Sequence, residues 1–309
     1  MSAPAPFELS DSDDFSHSPG AEPLWNESWY FDFADPEGGL GGWVRLGLYP
    51  NEDRAWINVF VCGPDRPTFA LNDFHAPLPK DPFDVKAAGI SLTQEVSAPL
   101  KRLRVTAGGT GERHDDPAGL LRGESGVPAE VSLDLTWDTV GVPYAYRIAT
   151  RYEIPCTVSG TVTVDGVTHE LNAVAGQRDH SWGVRDWWAM DWVWSALHLD
   201  DGTHLHGVDL RIPDLGHVGV GYTQREGEPL VESTAVTAEA SFAPDDLPVE
   251  TTLTLQPGDV VATARVVAHA PVRLVADDGR VAQFPRAWVQ VSTADGRSGL
   301  GWMEWNRNL

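Results

Sequence analysis

Apolar and polar residues alternate in short runs along most of the chain, and Gly, Pro, Asn and Asp separate the runs. A period of two with that punctuation predicts β-strands. Trp29–Phe33, Gly42–Leu48, Ala55–Val61, Ile90–Val96, Lys101–Ala107 and Val131–Trp137 read this way in the first half. Within Trp43–Tyr49 and Trp56–Val61 the large residues fall on one side, as a sheet with one buried face requires. Asp165-Gly166, set between Cys156–Val164 and Val167–Leu171, is the strongest hairpin signal in the chain. The second half continues with Trp192–Leu199, Thr203–Ile212, His217–Gln224, Val231–Phe242, Glu250–Leu255, Val260–Ala270, Arg286–Ala294 and Gly299–Asn306. Helical periodicity is almost absent.

So many strands at hairpin spacing must close their sheets or stack them, because open edges invite aggregation. The pattern therefore predicts an all-β protein of two consecutive β-barrels or strongly curved β-sandwiches. Residues 1–22, rich in Ser, Asp and Pro, read as a disordered arm. Residues 23–170 form the expected N-terminal β domain and residues 171–309 the C-terminal one, which carries the segment Asp179-His-Ser-Trp-Gly183.

A formal charge of −23 disfavours nucleic acid and anionic lipid, whose binding needs clustered Lys and Arg, and leaves small neutral or cationic ligands. The first twenty residues lack a basic segment followed by an apolar one, and no run of eighteen apolar residues occurs. The expectation is a cytoplasmic protein without stable membrane insertion, as a monomer or a homodimer. Cys62 and Cys156 lie in separate apolar runs and read as reduced core residues.

Residues 176–194 break the β pattern. They hold five tryptophans, two arginines, three aspartates and a histidine in nineteen positions. Charges between indoles are costly in a plain core, so this mixture predicts an apolar small-molecule pocket with a few polar groups in its wall. Asp179 among indoles should hold its proton more tightly and could donate it near neutral pH, with His180 as partner and Asp191 in reserve. On a strand Asp179 and His180 would face opposite sides; on a loop both could reach one cavity. Trp182, Trp188, Trp192 and Trp194 are the expected wall, and tryptophan faces would stabilise a developing carbocation. Arg185, Tyr30, His204, His206 and Glu304 are further candidates for the ligand site. A purely structural alternative has Arg178, Asp179, Arg185 and Asp186 pairing as two buried bridges between the lobes.

His204 and His206 share one strand face at a spacing used by metal-binding barrels, but Asp209 has the wrong parity for a third ligand. No metal or other cofactor is assigned. The glycines at 108–111 do not stand between a strand and a helix, so they read as a turn and not as a phosphate loop.

The run Gly176-Gln-Arg-Asp-His-Ser-Trp-Gly-Val-Arg-Asp-Trp187, followed by Trp192-x-Trp194 and an Asp-Gly turn, resembles the carotenoid 1,2-hydratase and tocopherol-cyclase-like (AttH-type) group of tandem lipocalin-like proteins, including its actinobacterial members. The resemblance implies two calyx-like barrels with the ligand between or inside them, and Asp179 and His180 as the catalytic candidates. The chain departs from the group in lacking a membrane-associating segment and in its Arg-Asp-Trp-Trp continuation. Those departures favour a smaller terpenoid, steroid or polyketide-like substrate over a membrane-dissolved carotenoid. The leading expectation is a cofactor-independent hydratase, dehydratase or cyclase acting on a carbon–carbon double bond. The alternatives are a carrier or sensor of an apolar molecule and a metal-dependent, cupin-like enzyme built on His204 and His206.

Overall fold

A computed structural model describes residues 7–87 and 89–309. The first half contributes strands β1 (Trp25–Asp35), β2 (Leu40–Tyr49), β3 (Arg54–Cys62), β4 (Thr68–Pro77), β5 (Asp84–Ala87), β6 (Ile90–Ala98), β7 (Arg102–His114), β8 (Val127–Thr139), β9 (Tyr144–Ala145), β10 (Arg151–Val164) and β11 (Val167–Val184). The second half contributes β12 (Asp191–Leu199), β13 (Thr203–Ile212), β14 (Gly216–Arg225), β15 (Val231–Glu232), β16 (Ala235–Phe242), β17 (Pro248–Gln256), β18 (Val260–His269), β19 (Val272–Val275), β20 (Val281–Phe284), β21 (Arg286–Thr293) and β22 (Ser298–Asn308). The protein is all-β, built from two large curled antiparallel sheets in a tandem lipocalin-like arrangement.

The first sheet runs β4-β3-β2-β1-β11-β10-β8-β7-β6-β5 and closes where β4 also pairs with β7, Phe69 opposite Arg113. Closure removes the open edges that so many strands would otherwise present. The second runs β15-β14-β13-β12-β22-β21-β18-β17-β16 and curls until the Arg211 guanidinium on β13 donates to the Ala238 carbonyl on β16. Each sheet packs a core of its own. Trp29, Phe31, Phe33, Leu46, Leu135 and Trp137 fill the first lobe, and Val193, Leu197, Leu253, Val289, Met303 and Trp305 fill the second.

A third cluster lies between the lobes, where Tyr30, Trp43 and Phe60 of the first meet Trp194, Trp288 and Trp302 of the second. The indole N–H of Trp302 donates to the Phe33 carbonyl at 2.9 Å, and that of Trp43 to the Ala270 carbonyl at 3.3 Å. Every residue of β1 and β2 is consequently buried, one face in the lobe core and the other at the lobe interface.

Two expectations change here. Val167–Leu171 was expected to end a hairpin, with the motif opening the second domain. Instead β11 continues to Val184 and pairs with β1 as well as β10, so 176–183 belongs to the first sheet. Polar and charged residues on both faces explain the lost signal: Gln177 and Asp179 point one way and Arg178 and His180 the other, so the period-two contrast fades. The arm also differs from expectation. Residues 1–6 lie outside the described residues, but Asp11–Asp14 form a short 3₁₀ turn docked on the first lobe. Asp14 is fully buried there and bridges Arg178. Both cysteines are buried and unpaired, as expected. Among the described residues no helix is long and apolar enough to cross a membrane.

Candidate functional site

Strand parity decides which candidates share a cavity. Cross-strand partners point to the same face of a sheet. On the interface face of the first lobe, Asn58, Arg45, Tyr30, Asp179 and Glu153 form one continuous cross-strand row over β3, β2, β1, β11 and β10. The row on the opposite face holds Leu46, Trp29, His180 and Tyr152, and points into the first lobe.

The interface row opens onto a cavity of about 390 Å³ between the lobes, the size of an ordinary small-molecule pocket. Trp43, Trp56, Trp187, Trp192, Trp194 and Phe284 give it an aromatic wall. Arg45, Arg151, Arg185 and Arg286 add guanidinium groups, against the carboxylates of Asp179, Asp186 and Glu304. Arg286 lies 4.2 Å from the Tyr30 ring centre and 4.7 Å from that of Trp43, and it bridges Glu304. Arg45 lies over Trp187 at 5.1 Å, and among the described residues its one hydrogen bond is a long one, 3.4 Å to the Tyr49 hydroxyl. The overall negative charge thus does not extend to the cavity wall. The buried Asn26 amide in the same wall has no partner among the described residues, a polar group that a ligand oxygen would satisfy.

Two buried carboxylates, Asp179 and Glu153, share Arg151, whose guanidinium lies 2.7 Å from Asp179 and 2.8 Å from Glu153. Their environments push them apart. Glu153 also accepts from the Trp194 indole and the Gln177 amide, each at 3.0 Å, and from the Tyr146 hydroxyl at 3.3 Å. Burial alone would raise Glu153, but the facing imidazole of His206 and the Arg151 guanidinium, followed by the Gln177 and Trp194 hydrogen bonds, outweigh it and hold Glu153 below the usual carboxylate range. Asp179 accepts only the Arg151 bond among the described residues. Desolvation dominates there, Glu153 adds repulsion, and Arg151 only partly offsets them, so the Asp179 carboxyl is raised to about 7. One of the pair is kept ionised and the other is poised to hold or release its proton near neutral pH, the pattern that separates a general acid from its electrostatic partner.

A consequence follows for Glu153→Gln. Removing its charge leaves Arg151 to Asp179 alone, so the Asp179 carboxyl is expected to fall below about 7. Infrared titration of the carboxyl stretch should register that fall, whereas an unchanged midpoint would show that the two carboxylates do not interact.

Among the predicted residues, Asp179, Tyr30, Arg185, Trp192, Trp194 and Glu304 line this cavity. His180 does not. It sits on a strand beside Asp179, so parity turns it into the first lobe, where it stacks on Trp29 with ring centres 4.4 Å apart and faces Glu27 at 3.0 Å. Trp182 shares that face and stacks on His17 at 3.7 Å. Asp191 accepts from the Asn308 backbone and amide, and with Trp188 borders a second pocket. His206 is buried behind the wall, bonded to the Tyr146 hydroxyl at 2.6 Å and the Ser195 carbonyl at 2.8 Å. His204 meets His198 at 2.9 Å, and among the described residues no group of three potential metal ligands includes His204 or His206. The alternative of two buried bridges among Arg178, Asp179, Arg185 and Asp186 is not what forms. Arg178 pairs with Asp14, and Arg185 donates to the carbonyls of Thr150, Trp182 and Val184.

Sequence reading missed Arg45, Arg151, Glu153, Tyr146 and Arg286. The available signal was same-face charge inside apolar strands: Arg151-x-Glu153 at period two, and Arg286 ahead of Ala-Trp-Val.

The family described as Domain of unknown function (DUF7064) matches residues 10–309. Comparison with curated proteins finds no match. Among solved structures, an AttH-like protein from Nitrosomonas europaea superposes with a TM-score of 0.66 at 14% identity, covering 99% of this chain and 98% of that one. Kievitone hydratase from Nectria haematococca gives 0.61 at 12% identity, covering 98% and 93%. CghA gives 0.57 at 14% identity, covering 93% and 89%. At such identities the likeness is one of fold.

Proposed function

The chain belongs to the DUF7064 family, and from its own cavity we propose that it is an acid–base lyase or cyclase acting on a carbon–carbon double bond of an apolar small molecule. The carrying observation is the Asp179–Arg151–Glu153 arrangement in an aromatic, inter-lobe cavity. Asp179 is the proton donor. Its carboxyl proton passes to one alkene carbon, and the adjacent carbon becomes cationic over the Trp192 and Trp194 rings. In hydration, water adds to that carbon and the Asp179 carboxylate takes a proton back; dehydration is the reverse. In cyclisation, an internal nucleophile of the substrate replaces water. Arg151 steadies the carboxylate after transfer, while Glu153 keeps the guanidinium in place.

A likeness in fold to a protein named as a hydratase agrees with this reading but does not carry it. The guanidinium groups of Arg45 and Arg286 refine the substrate class. An apolar skeleton bearing an electron-rich or acidic oxygen, as in polyketides and oxygenated terpenoids, suits them better than a hydrocarbon.

The test is incubation with a panel of terpenoids, steroids and polyketides in heavy-oxygen water, followed by mass spectrometry. A labelled product, or one lighter by a water, supports hydration or dehydration. An isomer of equal mass supports cyclisation. Ligands that bind and return unchanged across the panel overturn the enzymatic reading in favour of a carrier.

A further inference from the structure

On the far side of the same strand, His17, Glu27 and His180 bring three ligand atoms within 4.8 Å of one another. They come from three separate pieces of chain: the N-terminal arm, β1 and β11. Glu27 and His180 are almost fully buried, while the His17 side chain is 22% exposed.

The hydrogen bonds behind the ligands assign their lone pairs. His180 Nδ1 lies 2.8 Å from the Asp13 carbonyl oxygen, an acceptor, so that nitrogen carries its proton. In the neutral ring the lone pair of Nε2 then points at Glu27 Oε1, 3.0 Å away. His17 faces carboxylates with both ring nitrogens, Nε2 at 3.2 Å from Asp13 and Nδ1 at 2.7 Å from the same Glu27 oxygen, which also accepts the His17 backbone N–H at 2.9 Å; a cation displaces the Nδ1 proton and leaves Nε2–H on Asp13. Two imidazole nitrogens thus gather around one carboxylate oxygen, and a cation inserted among the three would take a lone pair from each. Each imidazole is also held from behind by an oxygen of Asp13, as metal-bound histidines are, and Asp13 is fixed in turn by Ser10. Stacking of His17 on Trp182 and of His180 on Trp29 sets both ring planes.

We propose that His17, Glu27 and His180 bind a zinc-class divalent cation that fastens the N-terminal arm to the first lobe. Two imidazoles and one carboxylate are a borderline donor set of the kind zinc takes, with water completing the tetrahedron from the exposed side of His17. Metal–ligand bonds of about 2.0 to 2.2 Å need the ligand atoms to separate by only a few tenths of an ångström. None of the three ligands lines the inter-lobe cavity, so the cation has an anchoring role and takes no part in the proton transfer assigned to Asp179.

The test uses the full chain, stripped with a chelator and titrated with zinc chloride by calorimetry. One zinc per chain is expected, and cobalt in its place should give the intense visible bands of a four-coordinate centre. His17→Ala removes the partly exposed ligand, so the variant should fold and lose the stoichiometric site. Asp13→Ala should weaken binding by about 10- to 100-fold, because it removes the carboxylate behind His17. Zinc should also protect the arm from protease in the wild type but not in His17→Ala. Absence of stoichiometric binding by the wild type, or equal affinity in a folded His17→Ala, would overturn the proposal.

Discussion

Asp179→Asn is expected to lower kcat by about 10²- to 10⁴-fold, the usual contribution of a general acid, with the fold and ligand affinity retained. Asn has nearly the shape of Asp but no acidic proton, and Arg151 keeps Glu153 as its counterion. Below the unfolded value, where the wild-type carboxyl is protonated in both states, stability should stay within about 1 kcal/mol of wild type, because one hydrogen bond is altered and no charge is stranded. Its pH dependence should change in a definite sense. The folded carboxyl, at about 7, lies above the ordinary aspartate value, so the folded state holds this proton more tightly than the unfolded state does. The stabilisation is fully present below the unfolded value and is lost as pH rises through about 7. Asn abolishes that slope. Steady-state kinetics and urea unfolding on either side of neutrality check both parts; turnover at the wild-type rate would remove Asp179 from the mechanism.

The largest expected loss of stability lies elsewhere, at Asp14. Its carboxylate accepts from Arg178 at 2.5 and 3.2 Å, from the Tyr152 hydroxyl at 2.5 Å and from the Leu100 amide at 2.6 Å. Asp14→Ala strands the buried Arg178 charge and leaves the other donors unsatisfied, so it should cost about 3 to 5 kcal/mol. Those donors outweigh desolvation and hold the Asp14 carboxyl below its ordinary value. The stability it supplies is present above the unfolded value and disappears as pH falls through the folded one, so wild type should lose this advantage in acid. Denaturant unfolding near neutral pH measures the difference. A loss under about 1 kcal/mol would mean that the arm lies on the lobe without supporting it.

Asp14 also marks where sequence reading stopped. Composition made residues 1–22 an arm, because few large apolar side chains occur there. What docks it includes a carboxylate whose partner stands 164 positions away, and such a pairing has no local trace. The strands were legible wherever one face is more polar than the other, as in Cys156–Val164. They were not legible at Thr68–Pro77, Val272–Val275 and Val281–Phe284, where runs are short or interrupted, nor across 177–181, where a buried stretch carries polar or charged residues on both faces. The cavity was legible as a concentration of tryptophan and charge. Asp179, Trp192 and Trp194 line it, whereas His180 and Trp182 do not, and on β11 strand parity alone separates Asp179 from those two. Once β11 is known to pair with β1, Asp179 faces Tyr30 and His180 faces Trp29, and the adjacent motif residues serve different sites.

The same parity connects the two sites on β11. Asp179 closes a cavity between lobes, while His180, one residue on, helps to anchor the arm that carries Asp14. A short charged segment in the middle of the chain thereby supports both the inter-lobe surface and the docking of the N-terminus.

Infrared difference spectroscopy of the ligand-free protein, titrated from about pH 5 to about pH 9, reads the protonation state of Asp179 directly and needs no knowledge of the substrate. Wild type should show a buried, protonated carboxyl whose band is lost with a midpoint of about 7 and is missing from Asp179→Asn. A spectrum with no carboxyl titrating in that range, or one in which the band persists in the variant, would contradict the assignment of Asp179 as the acid.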